Sequence, residues 1–180
     1  MPTPKRIEPP PPRIQIVQPA PMIDCGRYPS KRTVGESVAV SADIFSDGHD
    51  VLRAVVKSCP PGGDGWHESP MHRIDAQIDG DRWAGEFEVT ELGRWSWTIE
   101  AWVDAFASWR DELQRKIDVG QTDLSGELSE GVVLLEDVAE RATGDDRARI
   151  EQALTRLRDD GIPGEARDEA ALDPELFEAV

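Results

Sequence analysis

The sequence predicts a β-sandwich, immunoglobulin-like, followed by an α-helical segment that forms part of a bundle. Three observations carry this. From residue 13 to about residue 104, apolar residues recur with a period of two in short runs bounded by turn-forming clusters, the pattern of half-buried strands. Past residue 104 the period changes to three and four, the pattern of amphipathic helices. The strands, about six of them, all precede the helices, about three and a half of them, and runs of one type followed by runs of the other form separate layers or domains. Short strands at roughly 8 to 12-residue spacing over about 100 residues match an immunoglobulin-like sandwich.

Residues 1–12, ending in "PPPP", read as a tail: proline donates no backbone hydrogen bond and favours an extended polyproline conformation. The sandwich is placed at residues 13–110. "RIQIV" opens it, and "SVAVSADIF" sets Val38, Val40, Ala42 and Ile44 against Ser37, Ala39, Ser41 and Asp43. "VLRAVVKSC" is a strand with weaker alternation, closed by the breakers "PPGGDG" at 60–65. After a loop, "RIDAQIDGDRWAGEFEV" reads as two alternating runs joined at Asp79-Gly80, a strong hairpin signal, with Trp83, Gly85, Phe87 and Val89 on one face. Glu91 to Gly93 turn the chain into "RWSWTIEAWVD". There Trp95, Trp97, Ile99, Ala101 and Val103 share one face, while Ser96, Thr98, Glu100 and Trp102 share the other.

The acidic helical segment is placed at residues 111–180, its first stripe (Phe106, Trp109, Leu113, Ile117) beginning just before it. "ELSEGVVLLEDVAERA" carries Leu128, Val132, Leu135, Val138 or Ala139, and Ala142 on one side and is expected to stop at Thr143-Gly144. "DDRARIEQALTRLRDDG" opens with aspartates at the positive end of the helix dipole, turns Ile150, Leu154 and Leu157 inward and stops at Gly161. A last helix starts at "DPEL", with Asp173 as cap and Pro174 at the first helical position. A bundle whose last helix is short leaves an apolar stripe uncovered, which predicts that the chain is part of something longer.

The chain of 180 residues is 38% hydrophobic and 31% charged and has no apolar run long enough to span a membrane. Its N-terminus lacks the apolar segment of a secretory signal, so a cytoplasmic location is expected. Cys25 and Cys59, without C-x-x-C spacing, are expected as thiols. Net charge is −16; residues 1–110 hold 16 acids and 12 bases (net −4), residues 111–180 hold 20 acids and 8 bases (net −12). Such a surface repels phosphate backbones, so neither nucleic acid nor an anionic membrane is an expected partner.

Motifs for chemistry are sparse. His49, His67 and His72 lack helical metal spacing, "SDGHD" has too few oxygen ligands for a calcium loop, and the glycines of "PPGGDG" match no phosphate-cradling fingerprint. No metal or cofactor is expected. The scattered carboxylates are read as a solvated acidic face. Burying an aromatic contributes about 2 to 3 kcal/mol, so Trp83, Trp95 and Trp97, on the inward phase of strands, are expected inside a dry core. Trp102 and Trp109 are candidate contacts with another polypeptide, or pack strand against helix. Arg27, Lys31 and Arg32 of the basic loop "CGRYPSKR" are candidate contacts for an anion or an acidic patch.

The stretches "DCGRYPSKRTVGESVAVSADIFSDGHDVL", "DGDRWAGEFEVTELGRWSWTIEAWVDAFASWR" and "ELSEGVVLLEDVAERA" resemble the N-terminal region of the bacterial alpha-1,4-glucan:maltose-1-phosphate maltosyltransferases, members of the alpha-amylase superfamily. The resemblance runs from about Arg13 to the end, and it implies a sandwich with an inserted helical bundle that takes part in homodimerisation. It also implies a cytoplasmic parent enzyme that transfers maltosyl units, with retention and without cofactor, from maltose 1-phosphate to alpha-glucans. That family's catalytic carboxylates belong to a (β/α)8 barrel, for which this sequence has no strand-helix alternation, so no catalytic residue carries over. The expected partners are that catalytic barrel, a second copy, and an alpha-glucan if the module binds one. In that family the chain returns from the bundle to complete the sandwich, which here predicts an unpaired strand edge.

Overall fold

The structure, a computed structural model, describes residues 13–75 and 80–180. The tail expected at 1–12 and Asp79 of the expected hairpin turn lie outside the described residues. The chain divides into two compact units at Trp102/Val103, close to the change of period past residue 104 and ahead of the 110/111 bound expected for the sandwich. The helical geometry starts early because the Asp104 carboxylate accepts a hydrogen bond from the Ala107 N–H (2.8 Å) and caps the first helix.

The first unit contains β1 (Ile14–Ala20), β2 (Ser37–Ser46), β3 (Leu52–Cys59), β4 (His67–Arg73), β5 (Arg82–Glu88) and β6 (Ser96–Val103). They join in the order β1-β2-β5-β4-β3-β6 as one antiparallel sheet curled nearly into a barrel. This is coarser than the two facing sheets of the immunoglobulin-like arrangement expected from sequence. Alternation works as expected in β2, where Val38, Val40, Ala42 and Ile44 are all buried. Ala54 and Val56 of β3, Met71 of β4 and Phe87 of β5 complete the core with Val89. Lys57 reaches from β3 to Glu68 of β4 (3.1 Å) and Glu100 of β6 (2.9 Å), and the hydrogen bonds it donates to these two carboxylates, Glu100 foremost, raise its pKa.

One strand forms where the sequence predicts a loop. The strand β4 is "HESPMHR", which pairs with β5 at His72↔Ala84 and Arg73↔Trp83 and continues in the Ile74 N–H donating to the Arg82 carbonyl (2.8 Å); residues 76–78 of the expected run "RIDAQI" lie outside the described residues. Pro70 made this stretch read as a loop, since proline removes a ladder donor. It is tolerated because Pro70 pairs with Val55 of β3, while the ladder pairs of β4 with β5 lie past it, at His72 and Arg73.

The second unit contains α1 (Ala105–Asp118), α2 (Ser125–Ala139), α3 (Gly144–Leu157), α4 (Gly164–Ala171) and α5 (Pro174–Ala179). Leu113, Leu135 and Ile150, one from each of the long helices, are fully enclosed. Asp173 caps α5 as expected, accepting from the Glu175 N–H at 2.8 Å. Two expectations are corrected. Thr143-Gly144 was read as the stop of the second helix, yet α2 ends at Ala139 and Gly144 begins α3 with Thr143 as its N-cap. The helix α4 went unread because "GEARDEAA" offers alanine as its only apolar residue.

Arg110 of α1 ties the end of this unit down. Its guanidinium donates to the carbonyls of Leu172 and Asp173, each at 2.8 Å, and stacks over the rings of Phe177 (5.0 Å) and Phe106 (5.8 Å). In α4, Asp168 has a buried carboxylate oxygen without a hydrogen-bond partner among the described residues. Burial raises its pKa from 3.8, with Glu165 adding to the rise and Arg167 opposing it. A carboxyl with a raised folded pKa binds its proton more tightly when folded, so it costs stability at neutral pH, and the cost fades as pH falls through the folded value towards the unfolded one. Asp168→Asn is therefore expected to raise the thermal midpoint at neutral pH, with the gain shrinking towards about pH 4. Melting curves of both proteins across that range check it.

Candidate functional site

A groove of about 490 Å³ opens on the first unit, between the segment 21–34 after β1 and the turn 91–97 that leads into β6. The volume falls in the usual range for ligand and peptide sites, about 300 to 1,000 Å³. Its floor is Val38, Phe87 and Val89 of the core together with Trp95 and Trp97. Phe87 and Trp95 stack with centroids 6.0 Å apart, and the Trp95 indole N–H donates to the Glu91 carbonyl (3.2 Å). Gly93 turns the backbone between them at φ +147°, and a Cβ at that position would collide with the Pro61 ring, so glycine is required.

The opposite wall is the basic loop. Its backbone takes left-handed conformations at Asp24 (φ 48°), Cys25 (φ 53°) and Gly26 (φ 81°) and closes on itself through the Ile23↔Tyr28 bridge. The Thr33 N–H donates to the Glu36 carboxylate (2.8 Å), and the Gly35 N–H to the Val89 carbonyl (2.8 Å), which fastens the loop to the end of β5. Arg27 and Arg32 line the groove from this side, and Arg94 lines it from the turn.

The expected contact residues are distributed unevenly. Arg27 and Arg32 belong to the groove; Lys31 is exposed beside Arg32, outside the lining. Trp102 stands on the outward face of β6, 44% exposed, as its strand phase required. Trp109, offered above as a contact with another polypeptide, is 4% exposed inside the second unit, and its indole N–H donates to the Glu127 carbonyl (2.7 Å). Its side chain is used within its own unit. Trp83, Trp95 and Trp97 pack against the core but remain half-buried, so the fully dry interior expected for them is corrected: Trp95 and Trp97 also face the groove. Arg94 went unnoticed because the sequence shows it only as the end of a turn; what matters is its placement opposite a loop about 65 residues earlier, which no local pattern encodes.

The sequence profile of a family described as "Alpha-1,4-glucan:maltose-1-phosphate maltosyltransferase, domain N/S" matches residues 12–180. The chain belongs to this family. Similar proteins named alpha-1,4-glucan:maltose-1-phosphate maltosyltransferase include one from Myxococcus xanthus, 42% identical over 169 residues, covering 89% of this chain and 24% of that protein. One from Chlorobaculum tepidum is 38% identical over 168 residues, with 93% and 24% covered. Another, from Streptomyces coelicolor, is 37% identical over 166 residues, with 91% and 24% covered. The chain thus spans about a quarter of these maltosyltransferases. The domain N/S match takes in both walls of the groove and all five helices. Among the described residues no group of three His, Cys, Asp or Glu side chains is placed to hold a metal, and no helix is long and apolar enough to cross a membrane.

Proposed function

We propose that this chain is the non-catalytic scaffold and dimerisation module of a cytoplasmic maltosyltransferase that extends alpha-1,4-glucans from maltose 1-phosphate. The observation that carries this reading is the domain N/S match across residues 12–180. In this reading the sheet belongs to an immunoglobulin-like sandwich, the chemistry resides in a catalytic barrel contributed by another part of the parent enzyme, and the partners are that barrel and a second copy. Trp102 supports a contact role, because an exposed tryptophan on a strand is the type of side chain enriched at interface centres. Sedimentation equilibrium tests it: the chain is expected to dimerise, and Trp102→Ala to shift it towards monomer without lowering its melting temperature. A strict monomer would defeat the dimerisation role. Trp109 is unsuited to this test, since its loss damages the fold.

The exposure of Trp95 and Trp97 to the groove favours a second reading, an alpha-glucan-binding module, because aromatic faces stack on sugar rings. Affinity electrophoresis through glycogen decides it. Retardation abolished by Tyr28→Ala, at a groove residue 57% exposed, would promote this reading.

A further inference from the structure

We propose that the groove is a docking site for an extended acidic segment of a partner polypeptide, one that carries apolar side chains between its carboxylates. The positive charge is the first argument. Arg94 and Lys31 have no carboxylate or side-chain hydrogen-bond partner among the described residues. Arg32 donates only to the neighbouring Lys31 carbonyl, and Arg27 approaches Asp24 only loosely, at 3.8 Å. In a chain with 36 acids and 20 bases, cations on most faces find carboxylates, as Arg141 does with Asp137 and Arg147 with Glu151. Three arginines lining one groove, with Lys31 exposed beside them and a single weak ion pair among the four cations, leave a field that a carboxylate-bearing ligand complements. Glu91 is the one acid in the lining, so the groove keeps a net positive charge against three arginines.

The apolar surface is the second argument. Met22, Ile23, Tyr28, Val34 and Leu92 are between 44% and 87% exposed and all line the same groove. Methionine, aromatic and arginine side chains together are the composition that marks the centre of protein interfaces. A neutral glucan explains only part of this, because sugar hydroxyls leave the guanidinium charges uncompensated and one face of Trp95 is already covered by Phe87. Alternating acidic and apolar side chains on an extended segment use both the rim and the floor.

The test is selection of random peptides of about twelve residues, displayed on phage, against the whole chain at low salt. Enriched peptides are expected to be rich in Asp and Glu interspersed with Leu, Phe or Met. Fluorescence polarisation of the best peptide is expected to weaken about tenfold in the R32Q/R94Q double variant and to weaken further as salt rises. Both arginines are exposed, and an unchanged melting curve confirms that the variant folds. Arg141→Gln, which removes a cation from the helical unit, should leave the affinity unchanged. The proposal is overturned by absence of enrichment, by enriched peptides without an acidic excess, or by equal affinity for the double variant. Maltoheptaose binding that survives R32Q/R94Q, with no peptide enriched, overturns it in favour of the glucan reading.

Discussion

Trp109→Ala is expected to destabilise the helical unit by about 3 to 5 kcal/mol, the usual cost of removing a buried tryptophan. The ring is 4% exposed, packs against Phe106 with centroids 5.4 Å apart, and gives its indole N–H to the Glu127 carbonyl, so truncation removes apolar contact and orphans an acceptor together. Its place is reserved by Gly131 of α2, where an added Cβ would overlap the indole ring. An exposed glycine in mid-helix would be improved by alanine by about 1 kcal/mol. Here the sign reverses, since forcing a methyl into a filled core costs about 1 to 3 kcal/mol. Gly131→Ala should therefore destabilise the wild type but become neutral or stabilising in the Trp109→Ala background. A double-mutant cycle read by denaturant unfolding checks this; additive effects would show that the two residues do not share one space.

Ile44→Ala is the corresponding test in the sheet. Ile44 is 1% exposed, its N–H donates to the Asp81 carbonyl (2.9 Å), and its carbonyl accepts from the Trp83 indole (3.2 Å). The substitution keeps the backbone bonds and removes core volume, at a cost of about 2 to 5 kcal/mol, against about 0.5 to 1.5 for Ile44→Val. Because Ile44 and Trp109 belong to separate clusters of buried side chains, hydrogen exchange resolved along the chain should show loss of protection in β1, β2 and β5 for Ile44→Ala and in α1 and α2 for Trp109→Ala.

What could be read from sequence was whatever rests on local periodicity. The alternation of Val38 to Ile44, the two faces of β6, the α1 stripe and the Asp173-Pro174 helix start each follow from side-chain geometry over a few residues. Reading failed where distant parts of the chain decide. Pro70 argues against a strand until β5 is seen to pair beyond it. Gly144 resembles a helix stop, yet a left-handed glycine also serves the turn that opens α3. The groove was half visible: "CGRYPSKR" announced Arg27 and Arg32, but Arg94 and the groove-facing sides of Trp95 and Trp97 depend on two segments being folded together.

The fastening at Arg110 has a consequence for the molecule in acid. Its partners at Leu172 and Asp173 are peptide oxygens, which gain no proton as acidity increases, and the stacking rings beside it are equally indifferent. The C-terminal corner of the helices is therefore locked by contacts that offer acid nothing to protonate.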